Sequence, residues 1–574
     1  MMHAKSLRVL VIAPLVMGCI QVNGQAFANN VIYLDQGENW TGVERQLFYE
    51  QDQGSRLMPL AWMQALKLPD GSPFLGDRLA RYGYLPKPDS SQPNLPVGFT
   101  LSDYEGAPTV GMTCSACHTR QIVVDGTSYR VDGGPAIVDF QKLLRDLDTA
   151  MGVVHDDRDA FAAFADTVLG PDHTLNEATA LHVEVDIWYA RYHAWITGSL
   201  TEPGWGPSRL DAVSMIFNRL AGLDVGEPPT YVIEENIAKA DAPVRYPFLW
   251  NAALQDRTQW PGFAKNGNEI LGLARNLGEV YGVFGVFHPK TNDGFRILNR
   301  DYLTNNSANF DGLRAAENLM RKLGPPRWPW YINKPLADKG KEVFEDAGCN
   351  GCHGKQIGVT RPQGWSTWKT PVKNVRTDAR ECSIIARVVD TGSMAGARIP
   401  FSGWAPIAEK DSVFRLLEVS VSGTIIQEFF RPRGTNVQEQ GLAELLDSLD
   451  GAFTQPSQNV MPMDDTPDDR PTCAYEARVL EGIWAAAPYL HNGSVPTLEE
   501  LLKPASERLA TFEVGPNYDI ESVGLAAEQT RFDYTLETTG CDDPASGNSR
   551  CGHEYGTMLS PEKKRALLEY LKFL

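Results

Sequence analysis

Two short motifs with the same cysteine and histidine spacing carry the clearest chemistry in this chain. Cys114-Ser115-Ala116-Cys117-His118 and Cys349-Asn350-Gly351-Cys352-His353 both follow the pattern C-x-x-C-H. Two thiols at this spacing reach the two vinyl groups of one porphyrin, and the adjacent imidazole lies beneath the iron as its proximal ligand. The motifs therefore predict two covalently bound haem c groups. They are attached through Cys114 and Cys117 and through Cys349 and Cys352, with His118 and His353 as iron ligands.

A zinc site is the main alternative for these cysteines. Two C-x-x-C pairs can supply the four thiolates of one structural zinc ion. Zinc, however, gives no reason for a histidine directly after the second cysteine in both motifs. The repeated histidine favours haem, and with it a redox function.

Composition and charge limit the other functions. The chain has 574 residues, of which 43% are hydrophobic and 10% aromatic, so it can bury large cores in two or three domains. Its formal net charge of −19 argues against nucleic acid and anionic membrane surfaces as partners.

The N-terminus has the pattern of a secretory signal peptide. Lys5 and Arg8 accompany an apolar run that is too short to span a bilayer, and Ala26-Phe27-Ala28 offers a cleavage site. The run around Cys19 also resembles a lipobox, although Met17 fits that pattern poorly, so lipidation of Cys19 stays open. No other stretch has transmembrane length. We expect a periplasmic protein, in agreement with haem c, which is attached outside the bacterial cytoplasm.

Four cysteines remain in the mature chain once those of the two motifs are assigned. An even number in an oxidising compartment favours disulfides over free thiols. Three pairings are possible. Cys541 with Cys551 closes a short polar loop and leaves Cys382 with Cys473.

The order of elements predicts a mainly α fold with two cytochrome c-type haem domains, long irregular connections and an N-terminal arm. Pro325, Pro326 and Pro329 mark a linker. The predicted boundaries are a signal peptide at 1–28, the arm at 29–95, a domain with the reactive haem at 96–325 and a domain with the electron-transfer haem at 331–574. Periodicity and capping residues predict helices over 140–151, 159–169 and 183–196, from 336 into the second motif, and from Pro561 after the cap Ser560.

Several strings outside the haem motifs carry a family resemblance. They are Gly54-Ser55-Arg56-Leu57-Met58-Pro59, Arg81-Tyr82-Gly83-Tyr84-Leu85-Pro86, Gly111-Met112-Thr113, His491-Asn492-Gly493-Ser494-Val495-Pro496-Thr497-Leu498 and Gly552-His553-Glu554-Tyr555-Gly556. The chain resembles the dihaem cytochrome c peroxidase and MauG superfamily over nearly all of its mature length. It is most similar to the rubber-oxygenase-like branch, which includes dihaem fatty-acid dioxygenases and hydroperoxide diol synthases.

This resemblance implies roles for the two haems. The N-terminal haem resembles the reactive one, and the C-terminal haem the six-coordinate electron-transfer partner. Trp260 lies where relatives keep a tryptophan between the haems, and Glu279 lies near their distal-pocket glutamate. Alternatively, Trp260 is a core aromatic and Glu279 a solvated helical carboxylate. An apolar substrate pocket requires aromatic side chains near the iron, for which the candidates are Phe248, Phe263, Phe284 and Phe287.

The second axial ligand of the C-terminal haem has several candidates. His553 matches the late Gly-His position of rubber-oxygenase-like chains. His491 is the next candidate, although its counterpart in peroxidases belongs to a structural loop. Met394, Met461 or Met463 in this role implies a His/Met haem of higher potential.

The functional expectation is an exported dihaem oxygenase that inserts O2 into an unsaturated apolar lipid, a fatty acid first and polyisoprene second. A close variant isomerises a lipid hydroperoxide. One alternative is a peroxidase that reduces H2O2 with Glu279 as acid–base group, and another is a dihaem electron carrier. The resemblance also allows a structural calcium ion and a small redox partner.

Overall fold

The structure is a computed structural model that describes residues 31–88, 95–292, 298–361, 364–399, 405–431, 445–450, 452–453, 473–543 and 545–574. The predicted signal peptide, Cys19, Met461 and Met463 lie outside these residues. Among the helices that are described, none is long and apolar enough to cross a membrane.

The helices range from single turns at the two cysteine motifs to seven turns at the longest. They are α1 (Gly42–Glu50), α2 (Leu60–Ala65), α3 (Cys114–Cys117), α4 (Phe140–Asp156), α5 (Arg158–Leu169), α6 (Leu175–Ser199), α7 (Ala212–Leu223), α8 (Glu269–Gly282), α9 (Phe310–Lys322), α10 (Lys334–Asp346), α11 (Asn350–His353), α12 (Arg380–Ile385), α13 (Val413–Phe429), α14 (Leu498–Leu501) and α15 (Pro561–Phe573).

Many short strands accompany the helices. They are β1 (Val31–Tyr33), β2 (Met58–Pro59), β3 (Phe99–Tyr104), β4 (Ala107–Met112), β5 (Thr119–Val124), β6 (Thr127–Asp132), β7 (Arg209–Leu210), β8 (Val244–Arg245), β9 (Arg257–Thr258), β10 (Ala264–Lys265), β11 (Lys290–Thr291), β12 (Arg300–Asp301), β13 (Ile357–Thr360), β14 (Ser366–Trp368), β15 (Val372–Lys373), β16 (Val388–Asp390), β17 (Lys410–Ser412), β18 (Tyr475–Glu476), β19 (Thr511–Glu513), β20 (Tyr518–Asp519), β21 (Gly524–Leu525) and β22 (Thr535–Glu537). The fold is therefore mixed, which corrects the expectation of a mainly α chain. Strands of two or three residues are too short to show an alternating hydrophobic pattern.

Local capping explains where the predicted helices begin. The Ser560 hydroxyl accepts a hydrogen bond from the Lys563 amide at 3.4 Å, and Pro561 occupies the first turn of α15. The Asp139 carboxylate accepts from the Lys142 amide at 2.9 Å at the start of α4. The predicted helices over 140–151, 159–169 and 183–196 are confirmed as parts of α4, α5 and α6. The helix before the second motif ends at Asp346, so α10 and α11 are separate.

Two three-stranded sheets lie on either side of the first cysteine motif along the chain. Their strand orders are β2-β4-β3 and β1-β6-β5. In the first sheet, β4 pairs antiparallel with β3 and ends at Met112. In the second sheet, β5 begins at Thr119 and pairs antiparallel with β6. The one-turn helix α3 thus connects β4 of one sheet to β5 of the other, and His118 directly precedes β5.

The hydrophobic side chains form three large clusters. One cluster surrounds α4 and α6 and includes Trp195. A second joins α7 and α8 to α13 through residues such as Leu277 and Leu417. The third brings Trp40 of the N-terminal arm into the same cluster as Leu567 of α15. The arm and the C-terminal helix therefore share a core, while the domain boundaries stay predictions.

Two disulfides connect the cysteines outside the motifs. Cys382 is bonded to Cys473, and Cys541 is bonded to Cys551. This confirms the predicted pairing in which Cys541 and Cys551 close a short polar loop. The four cysteines of the two motifs are free thiols, as required of residues available for thioether bonds.

Candidate haem sites

The first motif presents one histidine nitrogen to a cavity. Thr113 caps α3 by accepting the Ser115 amide at 3.3 Å. Nδ1 of His118 lies 2.8 Å from the carbonyl oxygen of Pro247, which can only accept, so Nδ1 donates and Nε2 keeps its lone pair. Burial lowers the pKa of His118 to about 4, which keeps the ring neutral near pH 7. A neutral imidazole oriented by its other nitrogen is the form that binds a metal.

The cavity beside His118 also has Cys114 and Cys117 in its lining. Most of the remaining wall is apolar, with side chains such as Phe140, Leu210, Met215, Ile216 and Val283. An apolar cavity lined by both thiols and by the imidazole fits a covalently attached porphyrin. The donor set and the cavity therefore suit haem c at this motif.

Helix α8 brings polar groups into this cavity. Glu279 and Arg275 are one turn apart on α8, and both line the cavity. The Gln259 side chain donates to Oε1 of Glu279 at 2.7 Å. Burial raises the pKa of Glu279, while the charge of Arg275 opposes the shift. Arg275 is ion-paired with Glu317, and its Nη1 atom is buried without a hydrogen-bond partner among the described residues. Glu279 is thus a half-buried carboxyl group that lines the cavity and is held by Gln259.

The second motif repeats the histidine geometry of the first. Nδ1 of His353 lies 2.7 Å from the carbonyl oxygen of Arg478, so this ring also keeps Nε2 for a metal. Cys349, Cys352 and His353 line a second cavity. Its walls include Phe344, Leu498 and other apolar side chains. These residues suit a second haem c.

His553 lies across the second cavity from His353. Their ring centroids are 6.1 Å apart, and both rings line the cavity. A metal ion lies about 2.0 Å from the nitrogen of an imidazole ligand, and the ring centre lies about 1.1 Å beyond that nitrogen. The centres of two rings on opposite sides of one metal ion are therefore about 6 Å apart. The spacing therefore matches one iron held between two histidines. Nδ1 of His553 is buried and has no hydrogen-bond partner among the described residues, and burial lowers the pKa of this ring to about 3.

The backbone before His553 has little freedom. The φ angle of Gly552 is 87°, and a Cβ atom at this position would lie 2.6 Å from the carbonyl oxygen of Val375. The amide of His553 then donates to the same carbonyl at 2.9 Å. Glycine is the residue that fits this close approach with a positive φ. The preceding residue, Cys551, is fixed by its disulfide with Cys541. These contacts hold His553 at the rim of the cavity.

His491, the other histidine candidate, also lines the second cavity, but its ring is engaged by other side chains. Nε2 of His491 lies 2.9 Å from a carboxylate oxygen of Asp378, and the ring stacks on Tyr475 at 3.8 Å. The neighbouring Asn492 side chain donates to the same carboxylate at 3.1 Å. The His-Asn-Gly string is therefore held as a loop by Asp378. Met394 lies in the hydrophobic core and lines neither cavity.

The aromatic candidates occupy different places. Phe248 lines both cavities. Trp260 lines the second cavity but not the first, and its Nε1 donates to the carbonyl oxygen of Arg245 at 3.1 Å. The expectation of a tryptophan between the haems stays a prediction, and Phe248 lines both cavities.

Phe263 is a core residue, contrary to the expectation of a pocket position. Its ring packs on Phe414 at 5.6 Å and on Phe453 at 6.4 Å, and it lines neither cavity. Phe284 and Phe287 likewise pack in hydrophobic clusters and line neither cavity. The only sequence feature that favours a pocket position for these residues is their place near α8, and this place does not show which way a ring points.

Sequence reasoning missed the residues between the two cavities. Arg245, Glu476 and Arg478 line both cavities together with Phe248. The Pro247 and Arg478 carbonyls that orient the two motif histidines were missed as well. No local motif marks these residues, because each acts through contacts distant in sequence. Across the described ranges there is no cluster of three or more His, Cys, Asp or Glu side chains arranged to hold a metal ion, so the calcium expectation receives no support.

Comparison with known proteins agrees with a haem protein. Residues 474–513 match the family described as RoxA-like, cytochrome c-like. This segment contains Glu476, Arg478 and His491. The match supports a RoxA-like cytochrome c protein and implies haem c as a cofactor.

Two proteins of Sinorhizobium fredii (strain NBRC 101917 / NGR234) are similar to this chain. The uncharacterized protein y4iJ is 29% identical over 595 residues, which cover 95% of this chain and 94% of that protein. The uncharacterized protein y4iM is 24% identical over 346 residues, which cover 57% of this chain and 63% of that protein. Neither name states an activity.

Proposed function

We propose that this protein is a periplasmic dihaem c-type oxygenase that inserts O2 into an unsaturated apolar lipid. A fatty acid is the first candidate substrate and polyisoprene the second. When bound, haem c supplies an iron that exchanges electrons and reacts with O2. The first cavity is proposed as the reactive site, and the second as the electron-transfer site.

A difference between the two cavities carries the proposal. His353 faces His553 across the second cavity at 6.1 Å. Among the described residues that line the first cavity, His118 is the only histidine. Two histidines saturate an iron, whereas one leaves a coordination position for a reactant. Three methionines, Met112, Met215 and Met320, also line the first cavity. A thioether ligand from one of them would saturate the iron of the first site, and electron paramagnetic resonance would then show two low-spin signals.

The chain's own residues account for the roles of the first cavity. The Pro247 carbonyl fixes the tautomer and direction of His118. Apolar side chains such as Leu210, Ile216 and Val283 line the space for the porphyrin and exclude water from it, and the part of this wall that the porphyrin leaves uncovered is proposed to accept an apolar chain. Burial of each CH2 group in such a wall contributes about 0.8 kcal/mol to lipid binding. The wall thus suits a lipid substrate better than a small polar one.

A peroxidase is the second candidate, because the first cavity also holds a half-buried carboxyl group. Glu279 receives a hydrogen bond from Gln259 and has a raised pKa, caused first by burial. A carboxyl group of this kind can move a proton between the two oxygens of H2O2. A cavity with such a carboxyl group also favours an enzyme over a simple electron carrier.

Isotope labelling tests the proposal. The holoprotein is incubated with an unsaturated fatty acid and ¹⁸O2 without an electron donor, and the products are analysed by mass spectrometry. An oxygenase places both labelled atoms in one product molecule. No labelled product from fatty acid or polyisoprene, together with rapid donor-dependent loss of H2O2, would instead establish the peroxidase.

A further inference from the structure

Four residues form a wall that belongs to both cavities. Arg245, Phe248, Glu476 and Arg478 line the first cavity and also the second. All four are buried, with exposures of 4%, 1%, 8% and 6%. We call this set the shared wall. Three of its four side chains carry ionisable groups, which are costly to bury without a function or a partner.

The charges of the shared wall do not cancel. Glu476 forms an ion pair with Arg478, with 3.7 Å between Oε1 and Nε. In the part of the chain that the structure describes, Arg245 has no carboxylate at hydrogen-bond distance; it donates to the carbonyl oxygens of Leu490 and Tyr246 instead. Two guanidinium groups and one carboxylate leave a net positive charge between the cavities. Because the surroundings are buried, solvent and salt screen this charge weakly.

Arg478 contacts both haem sites at once. Its carbonyl oxygen accepts the hydrogen bond from His353, the histidine of the second motif. Its guanidinium lies 4.0 Å from the centre of the Phe248 ring. Phe248 follows Pro247, whose carbonyl oxygen accepts the hydrogen bond from His118. One side chain therefore connects the elements that orient the two proximal histidines.

We propose that the shared wall controls the reduction potentials of both haems together, through the fixed charges of Arg245, Arg478 and Glu476. This inference rests on the proposed dihaem function. Reduction adds one electron to a haem, so a nearby cation stabilises the reduced form and a nearby anion opposes it. Burial and local charge are among the factors through which a protein sets a haem potential.

The size of the effect follows from the charge. A unit charge about 10 Å away, at an effective dielectric constant of about 20, changes a one-electron equilibrium by about tenfold. This equals about 59 mV for a one-electron couple. Loss of one arginine charge from the wall should therefore shift both potentials downward by this order.

Spectroelectrochemical titration at pH 8 tests the inference on the holoprotein. Arg478→Met should reduce the ratio of reduced to oxidised haem about tenfold at a fixed applied potential, at both sites. Arg478→Lys keeps the charge and should retain most of the wild-type potentials. Glu476→Gln removes the anion and should shift both potentials upward. Lys373→Met is the contrasting variant, because Lys373 lines the second cavity alone and should not shift the first haem.

The opposite signs separate an electrostatic effect from damage to the fold. If Arg478→Met and Glu476→Gln shift the potentials in the same direction, or if either variant affects one haem alone, the inference is wrong. Arg245→Met provides a second cation deletion should Arg478→Met fail to fold, and it should also lower both potentials. If the variants bind two haems per chain and keep the wild-type potentials, this inference is wrong and the proposed function stands. If the wild-type protein binds fewer than two haems per chain, the proposed function is wrong as well.

Discussion

The rings of His353 and His553 face each other across the second cavity with centroids 6.1 Å apart, although 200 residues separate them in the sequence. The spacing matches one iron held by two imidazoles. The contacts around Gly552, together with the carbonyl of Arg478 behind His353, hold both rings in place. This geometry supports the proposal that the second site saturates its iron and serves electron transfer.

Replacement of His553 tests this assignment. His553→Ala should convert the haem of the second motif from low-spin to high-spin and raise its potential, because a strong imidazole ligand is lost. His491→Ala is the matched control. It should leave the low-spin spectrum intact and lower the free energy of unfolding by about 1–3 kcal/mol, because Asp378 loses a buried partner. Absorption spectra and urea unfolding measure the two effects, and the reverse pattern would transfer the ligand role to His491.

Replacement of Glu279 separates the two candidate functions. In a peroxidase, Glu279→Gln should lower turnover of H2O2 by about 10²–10⁴-fold, the usual contribution of a positioned acid–base group. An oxygenase acting on an apolar lipid should lose much less activity. Steady-state assays of both reactions on the same preparation give the comparison.

The pH dependence of peroxide turnover gives a second readout for Glu279. Burial raises its pKa above the ordinary value of 4.5, so the carboxyl group loses its proton at a higher pH than a solvated glutamate. Turnover that uses the carboxylate as a base should therefore rise as the pH increases through this raised pKa. The rise should be absent in Glu279→Gln. A rise that persists in the variant would assign it to another group.

Two phenylalanine variants compare a cavity residue with a core residue. Phe248→Leu changes a wall of the first cavity, whereas Phe263→Leu changes the core between Phe414 and Phe453. Loss of contact with one CH2 group of the lipid weakens binding by about 0.8 kcal/mol, or about fourfold. Phe248→Leu should therefore raise the KM for a fatty acid by this order or alter the position of oxygenation. Phe263→Leu should affect thermal stability alone, and an equal change in KM would contradict this assignment.

The two disulfides should differ in their contribution to stability. Cys382 and Cys473 are 91 residues apart, whereas Cys541 and Cys551 are 10 residues apart. In the chain-entropy description, closing the longer loop contributes about 4–5 kcal/mol and the shorter one about 3 kcal/mol. Cys382→Ala with Cys473→Ala should lower the midpoint of urea unfolding more than Cys541→Ala with Cys551→Ala. Equal midpoints would show that native contacts or residual structure outweigh the loop entropy.

The structure confirms two local predictions, the cap at Ser560 and the disulfide of the short polar loop, and both depend on residues close together in the chain. The attachment cysteines and the motif histidines also follow from a local pattern, and their roles stay predictions. His553 could be selected because the Gly-His string resembles a family position. Each of these features depends on the geometry of a short stretch of the chain, which its residue types determine.

Long-range contacts could not be predicted in this way. Phe248 and Phe263 have the same residue type and similar surroundings in sequence, yet Phe248 lines both cavities and Phe263 packs in the core. The shared wall combines Arg245 with Glu476 and Arg478, which are distant in the chain. The short strands escaped prediction because two-residue pairs such as β9 with β10 are stabilised by their partners and leave no repeating pattern.

Electron paramagnetic resonance of the oxidised protein distinguishes an iron with two histidine ligands from an iron with an open position. We propose that the second site saturates its iron with two histidines while the first keeps a position open. The spectrum should contain one low-spin signal typical of two histidine ligands and one high-spin signal, in equal amounts per chain. Two low-spin signals, with Met112, Met215 or Met320 supplying the extra ligand at the first site, would contradict the proposed reactive haem.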